Sequence, residues 1–133
     1  MKATGVLVMS LALSACSAEE ATTSAVDYTK VDVPVERLSS DEARERGRQI
    51  FKQNCVLCHG ERADGNGVRS KGLSAKPANF NGTEWRENVT PRLVFEVLSE
   101  GKRGTSMPAW PTLTEDQKWD VVAYVLSVAE HGP

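Results

Sequence analysis

Near the middle of the chain stands Cys55-Val56-Leu57-Cys58-His59, a C-x-x-C-H run. This spacing is the signature of covalent c-type haem attachment. Two thiols three residues apart can each bond a haem vinyl group. The adjacent His59 then offers its imidazole to the iron. A chain built this way must wrap a large flat group. It needs a second axial ligand or an open iron, a small helical shell, and an oxidising compartment for attachment. Other uses of the run fit less well. A thioredoxin-like redox pair belongs beside a βαβ pattern, and no such pattern is present. A zinc site needs about four ligands. The candidates would be Cys55, Cys58, His59 and His131, with adjacent Cys58 and His59 reaching one ion together. A plain disulfide leaves His59 without a purpose.

The 133 residues suit one domain. A domain this small buries limited apolar surface, so a large covalent group would enlarge its core. The net charge of −2 argues against a nucleic-acid partner. Residues 1–15 read as a secretory signal. Lys2 supplies the positive start and Val6 to Leu13 a short apolar run, too short to span a bilayer as a mature helix. Leu13-Ser14-Ala15-Cys16 resembles a bacterial lipobox, in which the cysteine is lipidated and becomes the first mature residue. The alternative is an ordinary cleaved signal with Cys16 merely nearby. Lipidation accounts for the odd thiol among three cysteines, with two assigned to haem and one to lipid. Residues 16–38 read as a flexible tether with two basic and five acidic residues after Cys16 and no sustained apolar period. The alternative is that Val31 to Val35 packs on the domain as an extended strap.

The folded domain is expected over residues 39–131. Ser39 with Glu42 suggests a capping box. The helix it opens would run to about Asn54, with Ala43, Gly47, Ile50 and Phe51 facing inward. Gly47 in mid-helix suggests close approach by another helix. From Gly60 to about Trp85 the chain reads as an irregular loop, and a loop this long needs something to wrap around. It is not a phosphate loop, since no Lys-Ser/Thr follows its glycines. Thr90-Pro91 opens the next helix, with Leu93, Val94, Val97 and Leu98 as its stripe and Gly101 closing it. A second loop carries Met107. Thr114 with Gln117 caps the last helix, which runs to about Glu130 and is buried on most sides. The expected fold is all-α, with three main helices and two long loops.

Met107 is the candidate distal ligand. Met1 and Met9 lie in the signal, and His131 sits at the chain terminus past a helix. A methionine beside two prolines and a tryptophan is a poor core-filler but a well-held ligand. The alternative is that Met107 only packs on the haem, leaving the iron open. Thioether ligation raises the potential relative to bis-His. A six-coordinate iron has no vacant position for a substrate.

Asp41 to Ala129 resembles the class I, mono-haem cytochromes c, here in a bacterial lipoprotein form. Four features carry the likeness: Gly47-x-x-x-Phe51, Cys55-Val-Leu-Cys58-His59-Gly60, Met107-Pro108-Ala109-Trp110, and Trp119 to Val125. The resemblance implies crossed terminal helices, with Gly47 and Phe51 against the Tyr124 turn. It implies a prolyl carbonyl, matched by Pro77, accepting the His59 Nδ1 proton. It also implies that Trp110 packs near the haem. Arg103, Lys76 and Trp85 are the candidate propionate partners.

The expected function is that of an electron carrier with one covalent haem c, passing electrons between respiratory complexes or serving as a subunit of one. An oxidase, reductase or dehydrogenase would be its partner, with no small-molecule substrate and no catalytic residue. The place expected is the bacterial periplasm, with a lipid on Cys16 as membrane anchor. A haem enzyme, or a gas-sensing domain with a labile Met107, is the alternative. Arg62 to Arg103 holds eight basic and five acidic residues, and Glu115 to Glu130 one basic and four acidic. That asymmetry suggests a haem edge steered to an acidic partner, against the alternative of ordinary solvated surface.

Overall fold

The computed structural model describes Met1 and residues 25–132. All but Met1 of the expected signal, and Cys16, lie outside the described residues. Six α-helices follow a 3₁₀ turn at Tyr28–Lys30: α1 (Val35–Ser39), α2 (Asp41–Asn54), α3 (Val56–His59), α4 (Thr83–Asn88), α5 (Pro91–Glu100) and α6 (Glu115–His131). No strand occurs among the described residues, and no described helix is long and apolar enough to cross a membrane.

Helices α2 and α6 cross at Gly47. A Cβ built there would lie 1.9 Å from the Asp120 carbonyl oxygen and 3.0 Å from the Tyr124 Cβ. Only a residue without a side chain permits that approach. One helical turn on, Phe51 packs its ring 5.2 Å from that of Tyr124. The crossing and its contacts are those expected from the sequence. Residues Trp119 to Val125 of α6 are all buried, because α1, α2, α4 and α5 all pack against this helix. A buried carboxylate sits in the middle of that run. Asp120 is gripped by Arg37 at 2.9 Å and by Arg46 at 2.8 Å.

The sequence signals set the caps with one shift of frame. Thr90 accepts from the Leu93 amide at the start of α5. Thr114 and Gln117 form a reciprocal capping box on α6. On α2, however, the cap is Ser40 and not Ser39: Ser40 Oγ accepts from the Ala43 amide. Ser39 closes α1 instead, donating to the Val35 carbonyl.

Two expected boundaries move. The tether expected over 16–38 does not leave residues 28–38 free. Tyr28, Val31, Val33 and Leu38 pack against the core. The Tyr28 hydroxyl donates to Glu100 at 2.5 Å, Arg92 Nε donates to the Val31 carbonyl at 2.8 Å, and Arg37 also pairs with Asp116 at 3.0 Å. A few spaced apolar anchors suffice for docking where mean hydropathy alone indicates a free chain. The packed unit therefore begins near Asp27, and the docked strap is longer than the extended Val31 to Val35 alternative and partly helical, with α1 inside it and Val35 exposed. The loop after His59 also ends earlier, at Gly82, because α4 occupies Thr83–Asn88 and carries Trp85.

Candidate haem site

The cleft lies between α3 with its following loop on one side and α5 with its following loop on the other. It encloses about 1250 Å³, open mouth included. Cys55, Cys58, His59, Pro77 and Met107 all line it. Residues widely separated in sequence are thus brought to one wall set. The stripe expected on α5 belongs here as well: Leu93, Val94, Val97 and Leu98 face the cleft. The core side of the same helix is held by Phe95, whose ring stacks 4.2 Å from that of Trp119.

The motif forms one helical turn. Cys55 caps α3, and its carbonyl accepts from the Cys58 and His59 amides at 3.1 and 2.8 Å. The following loop wraps back on that turn. Gly65, Gly67 and Arg69 donate their amides to the carbonyls of His59, Cys58 and Leu57 at 2.8, 3.1 and 2.7 Å. These bonds tie the loop to the α3 backbone and hold it in place.

His59 is oriented on two sides. Its Nδ1 lies 3.3 Å from the Ala78 carbonyl. Facing a carbonyl, Nδ1 carries the proton, so Nε2 keeps its lone pair. Burial holds the imidazole below its usual pKa range, against the opposing pull of the Ala78 hydrogen bond. A neutral ring is the form that ligates metal. Phe80 stacks on the imidazole at 4.8 Å and 16°. The acceptor expected at Pro77 is therefore one residue further on. The Pro77 carbonyl is turned toward Gly65, where a Cβ would meet it at 2.5 Å. Proline cannot donate, but its carbonyl has no advantage over that of Ala78. Loop path decides which one points inward. Sequence reasoning also passed over Phe80, the lone aromatic of that loop.

Cys55 and Cys58 are both half-buried and are not joined in a disulfide. Burial, and secondarily the nearby Cys58, pushes the Cys55 thiol up to about 12. Of the candidate propionate partners, Lys76 and Trp85 line the cleft; Arg103 does not, whereas Lys102 does. The Trp110 indole also lines the cleft, and its Nε1 is buried without a partner. His131 stands apart at the end of α6, 3.6 Å from Glu130.

These residues fit a haem. The walls are mostly apolar, as porphyrin faces require. Two thiols at C-x-x-C spacing, an imidazole with a free lone pair and a thioether make up a donor set suited to covalent attachment and two axial bonds. The unpartnered Trp110 N–H is a donor left over beside a guest that carries carboxylates.

An all-α shell around such a cleft defines a c-type cytochrome domain. A family model described as cytochrome C oxidase, cbb3-type, subunit III matches residues 42–125, and the chain belongs to that family. It is 32% identical over 105 residues to a cbb3-type cytochrome c oxidase subunit CcoP of Rubrivivax gelatinosus, covering 77% of this chain and 32% of that protein. It is 34% identical over 90 residues to a cytochrome c6 of Cyanidium caldarium, covering 66% of this chain and 73% of that one. Its fold matches a chain of the Kuenenia stuttgartiensis reducing HAO-like protein complex with TM-score 0.64 and 26% identity, over 74% of this chain and 49% of the other. The chain spans only 26–32% of the length of three cbb3-type subunits it matches. The family carries covalently bound haem c and serves electron transfer.

Proposed function

We propose that this protein is a periplasmic, membrane-tethered electron carrier. Cys55 and Cys58 hold one haem c through thioethers, and His59 and Met107 ligate its iron. Its partner is a respiratory oxidase, reductase or dehydrogenase, met either as a free carrier or within one complex. The observation that carries this reading is the convergence of Cys55, Cys58, His59 and Met107 on one apolar cleft.

When bound, the haem supplies reversible one-electron exchange at iron. The chain's own residues do the rest. The Ala78 carbonyl and the Phe80 ring orient His59. The thioether of Met107 closes the position where a substrate would bind. Val94, Val97 and Leu98 line the cleft and would help keep water out of it. This division of labour favours a carrier over a catalyst. Lys76 and Lys102 at the cleft support docking on an acidic partner surface. Anchoring through Cys16 rests on the lipobox likeness. The resemblance to oxidase subunits supports an oxidase as the partner.

Carbon monoxide tests the closure. The reduced protein at neutral pH is expected to bind it slowly and incompletely. Rapid, full binding would sink the carrier reading in favour of a haem enzyme or gas-sensing domain. The absorption spectrum in alkaline pyridine is expected to be that of a thioether haem. Its absence would remove the attachment at Cys55 and Cys58.

A further inference from the structure

The loop after α5 holds Met107 through a closed set of hydrogen bonds with one side chain at its centre. Gly101 ends α5 at φ +74°, and the chain turns back so tightly that a Cβ there would meet the Ala109 nitrogen at 2.8 Å and the Met107 oxygen at 2.9 Å. The Met107 carbonyl accepts from the Lys102 amide at 3.0 Å. The Met107 amide donates to Thr105 Oγ1 at 3.2 Å. That same hydroxyl donates to the Lys102 carbonyl at 2.7 Å, which also accepts from the Thr105 amide at 3.1 Å. Past the methionine, the Trp110 amide donates to the Leu98 carbonyl at 2.8 Å.

Two residues thus capture both backbone groups of Met107. Lys102 does so with main-chain atoms, which any residue supplies. Thr105 does so with its hydroxyl, which accepts from one side of the loop and donates to the other. No other side-chain group holds the loop to itself between Gly101 and Trp110. Thr105 also lines the cleft. Its location two residues before the methionine places the hydroxyl against the peptide that carries the thioether.

We propose that Thr105 is the positioning residue for Met107: its hydroxyl fixes the methionine backbone at the cleft wall and so sets how firmly the thioether closes the haem iron. The inference rests on Met107 being the axial ligand. A methionine side chain has three rotatable bonds and little shape of its own. Its hold on a metal therefore depends on where its backbone is pinned. Removing the hydroxyl frees the Met107 amide and one bond to Lys102 while leaving every ligand in place.

The test uses the haem-loaded protein and its Thr105→Val, Thr105→Ala and Thr105→Ser variants. Two readouts follow the iron: the weak long-wavelength absorption of thioether-bound ferric haem, and the rate of carbon monoxide binding to the reduced form. Thr105→Val is expected to bind carbon monoxide roughly 10-fold faster, the population change that goes with about one lost hydrogen bond, and to lose the long-wavelength band at a lower pH. Thr105→Ala covers the case where valine does not fit. Thr105→Ser keeps the hydroxyl and is expected to restore both readouts. Wild-type behaviour in Thr105→Val or Thr105→Ala overturns the inference, as does failure of Thr105→Ser to restore. A wild-type protein without the long-wavelength band instead overturns Met107 as ligand, so the two failures are distinct.

Discussion

His59 and Met107 are held by different means, and the difference bears on function. The imidazole is oriented by a carbonyl and a stacked ring, Ala78 and Phe80. The methionine is hydrogen-bonded only through its backbone, and its side chain packs against the core. If both ligate the haem as proposed, the His59 side is fixed in direction by these two contacts, and the Met107 side is expected to yield first. Met107→Ala is expected to lower the reduction potential by a sizeable part of the roughly 0.8 V that axial ligands span, and to open the iron to carbon monoxide. A redox titration with a carbon monoxide trace checks both, and an unchanged potential would mean another group is the ligand. The candidate ligands that line the cleft stood out in the sequence, because C-x-x-C-H is a chemical spacing and Met107 is the one methionine outside residues 1–15. The residues that orient His59 did not. A carbonyl belongs to every residue, so nothing in the letters separates Ala78 from Pro77. Phe80 needs the path of an irregular loop before it can be set against a ring 21 positions earlier.

Among the elements, α2 and α6 form the frame from which the rest hangs. Their crossing was readable because one glycine in a helix of otherwise ordinary residues costs about 1 kcal/mol and needs a reason. That reason is the Asp120 carbonyl. Gly47→Ala is expected to cost about 3 kcal/mol or more, since backbone has to move and no side chain can yield. Denaturant unfolding of the haem-loaded protein measures it, and a loss within experimental error would mean the helices cross elsewhere. The surface of α2 makes a weaker, pH-dependent contribution. Arg48, then Gln49, hold the Glu45 carboxyl down to about 2. A depressed carboxylate stabilises the fold above its unfolded pKa, and that stability is lost as pH falls through the folded value. Glu45→Gln should therefore be slightly less stable than wild type at neutral pH, with the gap closing as pH approaches 2 and shrinking in high salt. Unfolding midpoints across that range check the sign. The α2 cap shows where element-scale reading stops: Ser39 and Ser40 both suit a cap, and α1, too short to announce itself by periodicity, decides between them.

For the whole molecule, the strap shortens the length of chain that would lie between the anchor proposed on Cys16 and the haem domain. Had the chain been free from Cys16 to Leu38, the domain would swing widely. Because Tyr28, Val31, Val33 and Leu38 dock on the core, only residues 17–27 separate a lipid on Cys16 from the packed unit. Eleven residues reach at most about 40 Å when fully extended. The lipid anchor proposed on Cys16 would, on so short a leash, keep the haem domain within reach of membrane-embedded partners and raise its effective concentration there. The strap grips beside the haem loops, since Tyr28 binds Glu100, the residue before Gly101. Cys16→Ser is expected to leave the haem spectrum and the stability of the domain intact, to move the protein from the membrane to the soluble fraction, and to make electron delivery to membranes depend on protein concentration. Fractionation followed by oxidation of the reduced protein on isolated membranes reads all three. A variant that stays with the membrane would transfer the anchoring role from Cys16 to the folded domain's own surface.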